Sequence, residues 1–314
     1  KFYITTSIIY TNAKPHIGFA YELLIGDIIA RYKRFQGVET YFLTGTDEHG
    51  TKIAKAASDS GMNPQDFVDE NSAKVKDLAL KLGISNDFFI RTSSEIHKKG
   101  AQELWKAIYK SGDLKLKKYK GFYCTGCESF KTEKELVDGN CEIHLTKPVL
   151  VEEENYFFNI SKYSSLIKEK IVNNEIKIIP ESRKKEIISL INEGLEDVSF
   201  SRNKESNPWG IPVPDDEKQT MYVWCDALSN YITALGYADD GENFKKFWQD
   251  NKSETVHLIG KDILRFHSII WPAMLMSAGL ELPKEILVHG FITVGGKKMS
   301  KSLGNVNDPN YLIQ

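Results

Sequence analysis

The chain has 314 residues, of which 41% are hydrophobic and 27% charged, with a formal net charge of −2; this is the composition of a soluble globular protein of about two domains. No run of 18 apolar residues, signal-peptide core or arginine-rich leader is present, so a membrane-spanning helix is excluded and a cytoplasmic protein is expected. A near-neutral balance also excludes a generally basic nucleic-acid binder. RNA contact would have to come from local patches such as Lys115, Lys117, Lys118 and Lys120, which read equally well as a solvated hairpin, or the loop from Lys297 to Lys301.

Phe2 to Tyr10 reads as a buried strand, and a helix is predicted from about Ile17 to Phe35, with Ala20, Leu24, Ile28, Tyr32 and Phe35 on one apolar stripe and Gly37 as its stop. A second strand at Thr40 to Thr44 and helices near Gln65 to Leu82 and Glu95 to Ser111 complete a βαβ grammar, which predicts a parallel sheet. His16 and Gly18 therefore fall where a strand turns into a helix, a place where backbone N–H groups and the helix dipole attract phosphate.

From about residue 117 to 215 the character changes to acidic residues, prolines and clustered cysteines, read as an insertion. The α/β pattern returns with a strand at Met221 to Trp224 feeding a helix from Asp226, a strand at Thr255 to Ile259, and a helix from Asp262 to Ser277 that tolerates Pro272. A strand from Ile286 to Val294 leads into Gly295-Gly296 and the lysine loop. The expected units are 1–116 and 216–294 as two halves of a Rossmann-like domain, 117–215 inserted between them, and 295–314 as a terminal loop region. No internal repeat or low-complexity tract interrupts them.

Within the insertion, Cys124-x2-Cys127-x13-Cys141-x2-His144 has two pairs of donors at the spacing that lets tight turns aim them at one tetrahedral ion. A Cys3His set suits structural Zn2+. Disulfides are not expected in a cytosolic chain. Cys225, beside Trp224, reads as a small buried hydrophobe.

Pro15-His16-Ile17-Gly18 near the start and Lys298-Met299-Ser300-Lys301-Ser302 near the end form an ordered pair. With them the chain resembles a class I aminoacyl-tRNA synthetase, whose signatures are HIGH and KMSKS. The residues between them narrow the resemblance to the methionyl-tRNA synthetases, over nearly the whole chain. It implies a Rossmann-like parallel sheet split by a connective-peptide domain with a zinc knuckle. The implied reaction joins L-methionine to ATP, giving methionyl-adenylate and pyrophosphate, then transfers methionine to tRNA(Met). The chain stops at Gln314, soon after the second signature, and is expected to be a catalytic portion without the anticodon-binding domain, monomeric and without DNA or membrane partners.

The resemblance places Ile8, Tyr10, Trp224, Ala227, Leu228, Tyr231, Ile263 and His267 around methionine, with Asp47 on its ammonium group. It places ATP, with Mg2+, on His16, Gly18, Phe19, Glu22, Gly260, Asp262, Lys298, Ser300 and Lys301, of which His16, Lys298 and Lys301 are the implied catalytic groups. Phe19 departs from the pattern, which has a second histidine there. Read from the residues alone, Trp224, Tyr231 and Ile263 suit a core as well as a pocket. A synthetase for another apolar amino acid, a small adenylyltransferase sharing the His-x-Gly turn, and a weakened paralogue binding RNA are the competing readings.

Overall fold

The computed structural model describes residues 1–313 apart from 125, 127, 128, 132–135, 143, 144, 295, 296 and 299–308. Cys127, His144, Ser300 and Lys301 thus lie outside the described residues. The first unit runs β1 (Phe2–Thr6), β2 (Ile9–Tyr10), α1 (Ile17–Phe35), β3 (Thr40–Asp47), α2 (Thr51–Asp59), α3 (Pro64–Lys81), β4 (Phe88–Arg91) and α4 (Glu95–Lys110). Next come β5 (Leu114–Cys124), β6 (Ser129–Lys131), β7 (Leu136–Val137), β8 (Asn140–Cys141), β9 (Val149–Phe158), α5 (Ser164–Val172), β10 (Lys177–Ile179) and α6 (Glu181–Asn192). Four short strands, β11 (Val198–Ser199), β12 (Ser201–Asn203), β13 (Pro212–Val213) and β14 (Asp216–Met221), precede α7 (Val223–Leu228), α8 (Asn230–Thr233) and α9 (Glu242–Phe244). The chain then forms β15 (Glu254–Gly260), α10 (Trp271–Ala278), β16 (Glu285–His289), the hairpin β17 (Thr293–Val294) and β18 (Lys297–Lys298), and α11 (Asn310–Ile313).

Among the described residues the central sheet has seven strands, ordered β10-β16-β15-β1-β3-β2 with β4 also on β3, and every pairing in it is parallel. β1 is buried at each position, as a strand covered on both faces must be. The chain winds one way from β1 to β3 and the other way to β15, which opens a crevice at the carboxyl ends of β1 and β15. Antiparallel sheets, β11-β9-β5-β6 and β12-β14-β13, are inserted between the halves, while β10 returns from that stretch to the edge of the parallel sheet.

The buried face of α1 differs from the predicted stripe. Ala20 is buried, but Leu24, Ile28, Tyr32 and Phe35 are exposed, and the face turned inward carries Phe19, Leu23, Gly26, Asp27 and Ala30. Close approach decides this: a Cβ on Gly26 would stand 3.0 Å from the Phe42 ring and 3.1 Å from Thr6, so the helix lies on the sheet through its small residues. Asp27 is tolerated below because its carboxylate accepts from Ser85 N at 2.7 Å and Arg31 Nε at 2.6 Å. Gly37, at φ +75°, ends the helix as expected, with Val38 N donating to Lys33 O at 3.0 Å.

Three boundaries also moved. β3 runs on to Asp47, so that carboxylate stands at a strand end. Trp224 is helical rather than extended, because the ladder of β14 closes with Tyr222 N on Phe200 O at 2.8 Å and α7 begins at the next residue. The predicted strand to Val294 stops at His289, whose ring bonds Gly290 O and Glu22 at the turn. The sequence reading missed α2 and β4.

Candidate functional site

His16 is the N-cap of α1, in extended conformation, and its Nδ1 accepts from Gly18 N at 3.1 Å. That bond places the proton of the neutral ring on Nε2. His16 O also takes Phe19 N at 2.9 Å and Ala20 N at 3.2 Å, so these first amides of the helix are engaged by His16 itself. Gly18 is required for this: a Cβ there would lie 2.9 Å from the His16 ring. Its role is to admit the imidazole.

Phe19 is 5% exposed and packs with Ala20, Leu23, Val75, Leu78 and Ala79 in the cluster between α1 and α3. The ring thus serves helix packing at the position expected beside ATP. Glu22 is buried as well. Its Oε1 accepts from Ser7 N and Oγ at 2.5 and 2.6 Å, and its Oε2 meets His289 Nε2 at 2.9 Å. Burial alone would lower the pKa of His289, but the Glu22 bond and charge outweigh it and raise the value. Glu22 therefore ties the ends of β1 and β16 to α1 beside the crevice. Gly260, at the end of β15, has the Asp262 carboxylate where a Cβ would be, at 2.8 Å, and Asp262 is exposed.

Across the same strand ends, Asp47 is buried and its carbonyl is pinned by Thr11 N and Oγ1, each at 3.0 Å. Ile8 packs against the main core, and Tyr10 in β2 sits beside Asp47, its register partner, with the Lys52 ammonium 5.9 Å from its ring. Trp224 stacks on Phe266 with ring centroids 3.6 Å apart and planes at 8°, a flat apolar wall. Ala227, Leu228 and Tyr231 are buried beside it, and Ile263 packs on the same core.

The Tyr231 hydroxyl and His267 Nε2 are 2.6 Å apart, and His267 Nδ1 meets Ile263 O at 2.9 Å. Burial lowers His267 to about 4, against the pull of the Ile263 carbonyl, so the ring is neutral at pH 7. His257 lies 4.1 Å from the Tyr231 ring, centroid to centroid, and bonds Thr5 Oγ1 at 2.8 Å and Trp271 Nε1 at 3.2 Å. Neither His257 nor Trp271 was singled out from the sequence.

Also missed was a buried polar chain behind Asp47. Asp226, fully buried, takes His49 Nδ1 and His97 Nε2 at 2.7 Å each, and His97 Nδ1 meets Thr233 Oγ1 at 2.9 Å. Burial raises the pKa of Asp226, but the charges and hydrogen bonds of the two histidines prevail and hold it at about 2. Glu48 forms a two-point pair with Arg91, at 2.8 and 2.9 Å. A polar residue inside an apolar run, as Asp226 is in Val-Trp-Cys-Asp-Ala, was the available signal. Cys225 is buried, and burial followed by the Asp226 charge raises its thiol pKa, in keeping with a packing role.

In the insertion, Cys124 ends β5 and Cys141 ends β8, each 1% exposed. Asp138 and Gly139, both at positive φ, turn the β7–β8 hairpin, and Leu145 N donates to Cys141 O at 2.8 Å. Two buried thiols at turns suit a tetrahedral soft-donor site. Part of the lysine patch faces carboxylates. Lys118 and Lys120 lie opposite Glu154 and Glu152 in the β5–β9 ladder, and Lys117 pairs with Asp197 at 3.1 Å. Lys298 is in β18, opposite Thr293.

Comparison with known proteins identifies the family. The family model described as tRNA synthetases class I (M) matches residues 2–142 and 131–314. Methionine–tRNA ligase of Thermotoga maritima is 48% identical over 100% of this chain and 50% of its own length. That of Clostridium perfringens is 51% identical over 99% and 48%. Mycobacterium tuberculosis methionyl-tRNA synthetase in complex with methionyl-adenylate superposes with a TM-score of 0.93 at 44% identity, covering 99% of this chain and 61% of that one. Its apo form gives 0.78 at 41% identity, covering 92% and 56%. The chain spans about half the length of the curated relatives it matches.

Proposed function

The chain belongs to the class I (M) tRNA synthetases, and on that premise we propose that it activates L-methionine with ATP and passes the methionyl group to tRNA(Met). The observation that carries the reading is Asp47 at the end of β3, whose charge reaches Tyr231 of a neutral, buried Tyr231–His267 pair, together with Trp224 stacked on Phe266. An unbranched thioether with an ammonium group needs a long apolar slot, adaptable contacts and one carboxylate.

In this reading Asp47 holds the ammonium, while Ile8, Tyr10, Ala227, Leu228 and Ile263 close the slot. ATP enters as its magnesium complex along the crevice of β1 and β15, over Gly260 and Asp262, with its phosphates at His16 Nε2. Lys298 and Lys301, with Ser300 between them, neutralise charge as pyrophosphate leaves. The chemistry is then positioning and charge stabilisation rather than covalent catalysis. Structural zinc would be held by Cys124, Cys127, Cys141 and His144, where it crosslinks the turns of the insertion. A cytoplasmic location belongs to the same reading.

Methionine-dependent ATP–pyrophosphate exchange across a panel of amino acids tests it. Exchange should be selective for methionine, and Asp47→Ala should raise the methionine KM by the equivalent of about 2–5 kcal/mol, as expected when a buried charge loses its partner. Equal exchange with leucine or valine would transfer the assignment to another apolar amino acid.

A further inference from the structure

His289, the last residue of β16, stands between two acceptors: its Nδ1 is 2.9 Å from Gly290 O and its Nε2 is 2.9 Å from Glu22 Oε2. A carbonyl oxygen only accepts, so Nδ1 carries a proton. Glu22 takes Ser7 N and Oγ on its other oxygen, and a carboxylate ionised at neutral pH also only accepts, so Nε2 carries a second proton. The ring is an imidazolium. Burial alone would oppose the charge, but the Glu22 bond and charge, the Gly290 carbonyl and the Asp262 charge prevail and raise the pKa.

The cation is enclosed by the strand ends that form the nucleotide crevice. Its side chain is 15% exposed and that of Glu22 6%, the Tyr21 ring meets it edge-on at 5.5 Å, and a Cβ on Gly260, its register partner in β15, would stand 3.7 Å from its Cε1. The titratable groups that face it are thus Glu22 and Tyr21 on α1 and Asp262 in the turn after β15. Losing either charge of the pair leaves the other in the crevice wall without its partner, which costs more than breaking an exposed pair.

The pair joins residues 267 positions apart. Glu22 lies in α1, which begins behind the His16 cap, while Gly290, Phe291 and Ile292 lead from His289 into the β17–β18 hairpin that carries Lys298. Phe291 is held as well, with the Lys261 ammonium 4.2 Å from its ring. We propose that His289, as an imidazolium, is a positioning residue for the nucleotide step: its bond to Glu22 fixes the root of the Lys298 hairpin to the helix capped by His16, so that both motifs act on one nucleotide. Asp47 lies on the opposite side of β1, at the end of β3. This inference rests on the ATP placement proposed above.

The charge itself is read by NMR. The Cε1–H resonance of His289, assigned by its absence in His289→Gln, should titrate with a midpoint above the ordinary 6.5, and Glu22→Gln should move that midpoint down; a midpoint at or below 6.5 overturns the imidazolium. His289→Gln keeps a donor but loses the charge, and in methionine-dependent pyrophosphate exchange at pH 6 it should lower kcat/KM for ATP by about tenfold, as for loss of a hydrogen bond to a charged group, with a far smaller change in the methionine KM. The ratio of native to variant kcat/KM should then fall toward one as pH rises through the histidine midpoint, because ATP and His16 titrate alike in both proteins. A ratio constant with pH shows a merely structural role, and equal changes for ATP and methionine, or none, overturn the positioning role. Absence of exchange in the unaltered chain would overturn the activation reading and the positioning role with it, while the NMR titration still decides the ion pair.

Discussion

Tyr231 and His267 share a hydrogen bond of 2.6 Å whose direction is set from behind, because His267 Nδ1 must donate to Ile263 O and so leaves Nε2 to accept the phenol proton. Both groups of the pair are thereby held neutral. The imidazole is held down to about 4 by burial, and burial followed by the Glu22 charge pushes the phenol far above its ordinary value.

The consequence for stability follows from the sign of the histidine shift. Above the unfolded value near 6.5 the ring is neutral in both states; as pH falls from there toward about 4, only the unfolded state gains the proton, so stability is lost across that window. The share of His267 is up to about 3 kcal/mol, and His257, lowered in the same direction by burial, adds to the slope. Urea unfolding at pH 7 and pH 5 should show the loss, and His267→Gln should flatten it in part. An unchanged slope in that variant would refute the assignment.

Asp226 is expected to be a keystone. Asp226→Asn leaves His49 and His97 without their carboxylate in a fully buried place, at a cost of about 3–5 kcal/mol. With the native pKa at about 2, its contribution persists above pH 3.8 and fades only as pH falls toward 2. Denaturant titration of the variant at neutral pH measures the loss. A midpoint equal to the native one would show that the chain of histidines is dispensable.

Restoring the histidine of the family signature should not help. Phe19→His places an imidazole among the apolar side chains of Val75, Leu78 and Ala79, and is expected to cost about 1–3 kcal/mol without raising the adenylation rate. Thermal melting and pyrophosphate exchange, measured together, check both halves. A faster exchange in the variant would place the ring at the nucleotide after all.

Removal of zinc should loosen the insertion before it touches the chemistry. Cys141→Ala is expected to lower the metal content and the melting temperature while leaving methionine activation measurable, since structural zinc contributes folding free energy. Metal analysis of protein purified without chelator gives the stoichiometry, expected to be one; a value near zero refutes the site.

The contrasting outcomes at α1 show where local pattern stops being informative. A mutation at Ile28, 65% exposed, should be nearly silent, whereas Leu23→Ala should cost about 2–5 kcal/mol, although both residues are apolar and five positions apart. Circular dichroism melts of the two variants separate them directly. Periodicity identified a helix with its correct end at Gly37, but the side laid on the sheet was selected by the close approach of Gly26 to Phe42 and Thr6.

The alternation of elements, the parallel sheet and the strand-to-helix turn at His16 were legible because they depend on local properties: side-chain period, glycine conformations and capping. The proposed roles of Asp47 and of the aromatic residues toward methionine came only through the family pattern, since nothing local distinguishes a pocket aromatic from a core one. Tertiary structure alone decided that Phe19 packs on α3, that Glu22 bridges β1 and His289, and that His49 and His97, 48 positions apart, meet on Asp226. These are contacts between groups far apart in the chain, made by burying charge where only a specific partner can offset the lost hydration, and such partners have no signature in their own neighbourhoods.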